Sequence, residues 1–190
     1  MRHILVPSVP GLHKLVHALY EQAYVDLRGV EETVTGHAGE PWSWLLDLRR
    51  PLLKAEFLLP TVEAMSRVLV EAGVEQVAGL GLGAAPLVVG IVAQDCGIDG
   101  MLIRPQPKRR GLDRVVAGRL DATRPVWLVD DVVNSGKSVL KAARVLRKEG
   151  YQPAGILCVF EYRWGGGRRR LGEKDLSLQG LAEVRKRRAK

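Results

Sequence analysis

Apolar residues recur along this chain in two rhythms. From Gly11 to Arg28, Leu12, Leu15, Val16, Leu19, Ala23 and Leu27 fall at helical spacing, and Leu58, Val62, Met65 and Leu69 repeat it between about Ala55 and Ala72. Both stretches predict amphipathic helices that bury one stripe. Short continuous apolar runs follow at Val74 to Leu80, Gly100 to Ile103, Val126 to Val129 and Ile156 to Phe160. Runs of that kind suit strands covered on both faces, as in a parallel sheet. Leu87 to Ala93 and the series Val139, Leu140, Ala143, Val145 and Leu146 predict two further helices. Trp42, Trp44 and Leu46 alternate with Ser43 and Leu45, which reads as a half-buried strand closed by an Asp47–Arg49 ion pair. Strands alternating with helices imply an α/β fold, a twisted, mainly parallel sheet flanked by helices.

The chemistry concentrates where the third apolar run ends. Val126 to Val129 lead into Asp130 and Asp131, then Val132, Val133, Asn134, Ser135, Gly136, Lys137 and Ser138, and then a helix. In parallel sheets ligands collect beyond the carboxyl ends of the strands, so this loop lies where a ligand would lie. Its backbone N–H groups, two hydroxyls and an ammonium at a helix N-terminus favour phosphate. Gly136-Lys137-Ser138 matches the end of a nucleoside-triphosphate loop, but that pattern needs glycine where Asp131 stands, and two carboxylates would repel a polyphosphate wrapped around them. A sugar phosphate suits the pair better, its vicinal hydroxyls donating to the acids with a divalent ion nearby. The bland alternative is an Asp-Asp turn that caps the helix with help from Ser135.

Composition narrows the classes. A chain of 190 residues with 46% hydrophobic content buries about 70% of its unfolded surface in a single domain. No apolar run reaches the ~18 residues of a membrane span. Met1 to Pro10 lack a secretory leader pattern, which predicts a soluble, cytoplasmic protein. Cys96 and Cys158, without ligand-spaced neighbours, read as reduced buried thiols. His13 and His17 stand one helical turn apart but have no third ligand near them in sequence, so a solvated or partly packed face is preferred to a metal pair. Twenty-nine basic against twenty-one acidic residues give +8, which favours phosphate-rich substrates or nucleic acid.

The stretch from Val126 to Leu140 closely resembles the phosphoribosyl pyrophosphate (PRPP) signature of type I phosphoribosyltransferases, and the chain as a whole most resembles the orotate-using members. The resemblance implies that Asp130 and Asp131 hold the ribose hydroxyls, with Mg²⁺ reached indirectly through PRPP, and that Val132 to Ser138 line the 5-phosphate. Gly79 to Leu87 lacks the dinucleotide spacing G-x-G-x-x-G and is similar instead to the family's pyrophosphate loop, which assigns Leu82, Gly83 and Ala84 to pyrophosphate. Gly39, Trp44, Asp47 and Arg49 fit a hood segment over the base, although Glu40-Pro41 replaces an expected basic residue. Arg104, Lys108 and Gly111 match the family's mobile catalytic loop, so Arg104 and Lys108 join Asp131 as catalytic candidates. Pro105 and Arg110 stand there in place of a lysine and a histidine. Arg163 aligns with the arginine that grips the carboxylate of orotate, Tyr162 replacing its acidic neighbour. Leu176 to Val184 look like the family's closing helix. The implied hood spans about 30–50 and 161–178, and the core about 55–160.

Two functions follow as expectations. One is Mg²⁺-dependent transfer of phosphoribose from PRPP to a nitrogenous, orotate-like base with release of pyrophosphate, in a homodimer. The altered loop and hood positions predict slow turnover of orotate itself. The other keeps the pocket as a PRPP or nucleotide sensor, with Arg168 to Arg170 and the basic tail from Arg185 contacting RNA. The lack of an aromatic-interleaved RNA motif weighs against it.

Overall fold

The apolar runs become neighbouring strands of one sheet. The computed structural model describes residues 3–28, 42–104 and 115–186. In chain order the elements are β1 (His3–Pro7), α1 (His13–Ala23), β2 (Tyr24–Asp26), β3 (Trp44–Leu46), a 3-10 turn (Pro51–Leu53), α2 (Ala55–Glu71), β4 (Gln76–Leu80) and α3 (Gly81–Val92). They continue with β5 (Asp99–Ile103), β6 (Val116–Ala117), β7 (Pro125–Val133), α4 (Lys137–Lys148), β8 (Gln152–Tyr162), α5 (Gly167–Gly172) and β9 (Ser177–Lys186). The main sheet runs β1-β9-β8-β7-β4-β5-β6, and β2 pairs with β3 in a small second sheet. Strands β5, β4, β7, β8 and β9 are parallel, while β1 and β6 close the two edges antiparallel.

Each face of the main sheet has its own core. On one, Val16 and Leu19 of α1, Met65 and Leu69 of α2 and Leu87 and Ile91 of α3 pack over Val77, Val129 and Leu157. On the other, Ala143 and Leu146 of α4 and Leu171 of α5 cover Ala78, Leu128 and Ile156. Burial on both faces is why the central strands read as unbroken apolar runs. The order of connections places the site. From β4 the chain crosses through α3 to β5 on one side, and from β7 through α4 to β8 on the other. The crevice at such a divergence lies beyond the carboxyl ends of β4 and β7, flanked by the N-termini of α3 and α4.

Three expectations need correction. Helix α1 ends at Ala23 rather than continuing toward Arg28, because Tyr24 turns into a strand paired with Leu46, and the Asp47 N–H donates to the Ala23 carbonyl at 2.8 Å. Helix α3 starts at Gly81 and not at Leu87, so the glycine-rich segment is its first turn. Leu176 to Val184 are not a closing helix. From Ser177 onward they lie in β9, which joins β8 in parallel and receives β1 from the other side. Leu178, Leu181 and Ala182 fit a helical stripe, but Leu178, Gly180, Ala182 and Val184 fit period two equally well, and pairing on both sides decides. Strand β1 itself carried no signal in the sequence reading.

Candidate active site

Strand β7 delivers its two acids to different neighbours. Successive side chains point to opposite faces of a strand. Asp131 accordingly packs over Gly83 in the first turn of α3, where a Cβ on that glycine would lie 2.8 Å from the carboxylate. Asp130 instead lines the cavity beyond the strand. The Asp131 N–H donates to Asp130 Oδ1 at 3.0 Å and the Val132 N–H to Asp131 Oδ1 at 2.8 Å, which holds both carboxylates against the backbone. Burial raises the Asp130 carboxyl well above its ordinary value of 3.8, and the adjacent charge of Asp131 adds to the rise. Asp131 is raised by burial, an effect opposed by the Asp130 hydrogen bond, backbone N–H groups and the Arg49 guanidinium. Burial outweighs the backbone N–H groups and Arg49 at this pair, and added hydroxyl donors or a cation would favour its ionised form.

After β7 the chain turns through Asn134 and Ser135 to Gly136, whose φ of 73° is left-handed and opens α4. No side chain caps α4, and Lys137 and Ser138 in its first turn are exposed. The unpaired N–H groups of this helix start face the same cavity as Asp130. The loop is braced from behind. The Gly167 N–H donates to the Asn134 carbonyl at 3.0 Å, and the Arg170 guanidinium donates to the Ser135 carbonyl. Gly165 sits so close to Asn134 that a Cβ there would fall on its side chain and 2.5 Å from its carbonyl oxygen. Asn134 Oδ1 is buried and has no hydrogen-bond partner.

The cavity encloses about 620 Å³, within the range of small-molecule sites. The phosphate-type loop, Val132 to Val139, forms one end with Asp130. Aromatic side chains from distant parts of the chain form the other: Trp42 and Trp44 around β3, Tyr162 at the end of β8 and Trp164 just after it. Tyr162 and Trp164 stack at 4.9 Å between centroids, Trp44 lies 5.6 Å from Tyr162, and His3 lies 4.2 Å from Trp44. Lys186 completes the wall.

The remaining site candidates are distributed as follows. Leu82, Gly83 and Ala84 occupy the first turn of α3, Leu82 exposed and Ala84 fully buried. What they present at this point is the backbone N–H groups of a helix start rather than a loop. Arg104 ends β5 with an exposed side chain, its N–H donating to the Val115 carbonyl at 2.8 Å. Lys108, with Pro105, Arg110, Gly111, Gly39, Glu40 and Pro41, lies outside the described residues. Asp47 and Arg49 form a bidentate pair, with hydrogen bonds of 2.6 and 3.1 Å, at the end of β3. Arg163 donates to Glu161 at 3.0 Å and approaches Glu183 at 3.6 Å, and it is not among the cavity's lining residues. Glu161, 1% exposed, also receives a fork of two hydrogen bonds from Arg168. Of the arginines offered to RNA, Arg168 and Arg170 are thus engaged inside the molecule, and Arg169 stands 4.0 Å from Glu173. The His13 and His17 rings lie 4.3 Å apart, but no group of three or more His, Cys, Asp or Glu able to hold a metal ion occurs among the described residues. No helix there is long and apolar enough to cross a membrane. Sequence reading missed His3, Trp164 and Lys186 as cavity residues, since only strand pairing in three dimensions assembles them.

No family model matches the chain. Among curated proteins it is 30% identical over 158 residues to the orotate phosphoribosyltransferase of Rhodopirellula baltica, covering 78% of this chain and 81% of that one. It is 28% identical over 147 residues to the orotate phosphoribosyltransferase of Thermoplasma volcanium, covering 77% and 85%. Among solved structures it superposes with a TM-score of 0.68 and 19% identity on the Mycobacterium tuberculosis orotate phosphoribosyltransferase in complex with PRPP, covering 92% and 89%. The Aeropyrum pernix orotate phosphoribosyltransferase gives a TM-score of 0.70 at 22% identity, covering 89% and 93%, so the fold is shared with both.

Proposed function

The chain belongs to the orotate phosphoribosyltransferase family, and on that premise we propose that it transfers the phosphoribosyl group of PRPP to an orotate-like base in the cytoplasm, releasing pyrophosphate. The observation that carries this reading is that Asp130 and the α4 N-terminus open into the same cavity as the aromatic wall, with Asp131 beside them over the first turn of α3. Sugar phosphate and acceptor would lie in one space, and holding them in line converts a bimolecular displacement into a positioned one.

In this reading the helix start and loop from Val132 to Ser138 bind the 5-phosphate through N–H groups and hydroxyls. Asp130 and Asp131 accept from the ribose hydroxyls, and their charge stabilises the positive character that develops at the anomeric carbon. The first turn of α3 offers N–H groups to the departing pyrophosphate, with Arg104 and Lys108 as its cations. The aromatic wall stacks on the planar acceptor and excludes water. Mg²⁺ fits this donor set only as a companion of the substrate: two carboxylates with no third protein ligand in the described residues leave a hard cation's shell to be completed by PRPP oxygens. Bound so, it would neutralise charge on the leaving pyrophosphate.

The homodimer belongs to the same reading. Leu53 in the 3-10 turn and Leu82 in the first turn of α3 are each 78% exposed and Val89 of α3 is 58% exposed, apolar surface that a second copy would cover. The test of the function is orotidine monophosphate formation from PRPP and orotate with Mg²⁺. Product formed below about 1 per second is expected, given Arg110 in place of a proton carrier. PRPP left unconsumed with orotate and with every base of a purine and pyrimidine panel would overturn it.

A further inference from the structure

Arg163, the residue that the family pattern assigns to an anionic acceptor, is held by Glu161 and Glu183 and lies off the cavity. Another cation does line the cavity. Lys186 lines the cavity at its aromatic end, with Nζ 5.5 Å from the centre of the Trp164 ring. Its Cα partner across the β1–β9 ladder is His3, which also lines the cavity and stacks on Trp164 at 5.7 Å with 22° between planes. Lys186 makes no ion pair with a described carboxylate, whereas the neighbouring Arg185 is taken by Glu183 at 2.8 Å. The edge pairing of β1 with β9 thus carries an ammonium and an imidazole to the rim of a stack of aromatic faces.

We propose that Lys186, supported by His3, is the specificity-determining cation of the acceptor site, binding the anionic substituent of a planar heteroaromatic acid whose ring lies against Trp164, Tyr162 and Trp44. This rests on the phosphoribosyl-transfer reading for the place of the acceptor, but not for its measurement. A flat ring matches the stacked aromatic faces, and a carboxylate is what an ammonium without an acidic partner among the described residues recognises at such a rim. Arg163 acts elsewhere, clamping the ends of β8 and β9 through Glu161 and Glu183.

Trp42, Trp44 and Trp164 line the cavity, so quenching of tryptophan fluorescence reads binding whether or not turnover occurs. Orotate and uracil, the same ring with and without a carboxylate, are titrated in the presence of PRPP and Mg²⁺. Lys186→Met should weaken orotate about tenfold or more while leaving uracil within about twofold, and Lys186→Arg should restore most of the loss. Arg163→Met should lower the melting temperature without moving the orotate Kd. An unchanged orotate Kd in Lys186→Met, an equal loss for uracil, a loss in Arg163→Met instead, or no orotate binding by the wild-type chain would each overturn the proposal. Orotate binding that depends on Lys186 in a chain that never consumes PRPP would sustain this proposal and sink the transfer reading instead.

Discussion

The two ends of the cavity are built by opposite means. The acid and phosphate end comes from one contiguous stretch, Asp130 to Val139, and works through backbone N–H groups, a helix start and two carboxylates fixed by their own strand. The aromatic end draws on residues 3, 42–46, 162, 164, 165 and 186, brought together by the edge strand β1, the small second sheet and the C-terminal strand β9. A contiguous motif fixes geometry locally, so in the proposed reading the sugar phosphate's place is set by the chain's own turn. An assembled wall can be retuned one residue at a time without disturbing that motif. In the proposed function the first end would be the constant part of the chemistry, and the second the place where acceptor choice is written.

Perturbations can break or sharpen this contrast. The largest effect is expected where the two ends touch. Gly165→Ala would place a methyl group against the Asn134 side chain and 2.5 Å from its carbonyl oxygen, so the phosphate loop backbone must move. Because a displacement near 1 Å costs about 10²-fold, kcat/KM for PRPP should fall by at least that factor in steady-state assays. Next comes Arg110→His, which restores the family's candidate proton carrier. If proton transfer limits turnover, kcat with orotate rises about 10²-fold with KM for both substrates little changed. A change confined to KM would locate the limit at the acceptor end instead.

A smaller effect is expected at Gly83→Ala, whose methyl group would meet the Asp131 carboxylate at 2.8 Å. That carboxylate must give way and strain its hydrogen bond from the Val132 N–H, so PRPP affinity should drop about tenfold, measured by calorimetry, with orotate binding spared.

The smallest effect is on stability, and its sign is opposite to that on binding. Burial raises both carboxyls above 3.8, so between that pH and the raised values the folded chain holds protons that the unfolded chain has released. The pair's contribution to stability is then fullest below 3.8 and is lost as pH rises through the folded values. Replacing both acids by Asn removes this penalty. The double variant should melt higher than the wild type at pH 7, by about 2–4 °C for each kcal/mol relieved, with the gap closing in acid, by differential scanning calorimetry. PRPP binding by the wild type, which needs the ionised pair, should weaken over the same acid range.

The contrast also explains what could be read from the sequence. The parallel core strands were legible because burial on both faces leaves unbroken apolar runs such as Val126 to Val129. The acid pair and the loop after it were legible as one cluster because their groups are adjacent in sequence. Strand β9 was misread as a helix because Leu178, Leu181 and Ala182 satisfy helical spacing, and only its pairing with β8 and β1 settles the matter. With β9 misread, Lys186 could not be set beside His3. The position of Arg163 was equally hidden, since its commitment to Glu161 and Glu183 depends on two neighbouring strands coming into register.

The central claim is that the carboxylates ending β7 are the ribose-binding groups of a PRPP site. Isothermal titration of PRPP in the presence of Mg²⁺, into the wild-type chain and into the Asp130→Asn/Asp131→Asn variant, tests it most directly. Neutral amides keep the shape but lose the charge-assisted bonds to the hydroxyls, so the account predicts saturable binding to the wild type and loss of most affinity, at least about tenfold, in a variant that remains folded. Equal affinity in the two proteins would contradict it.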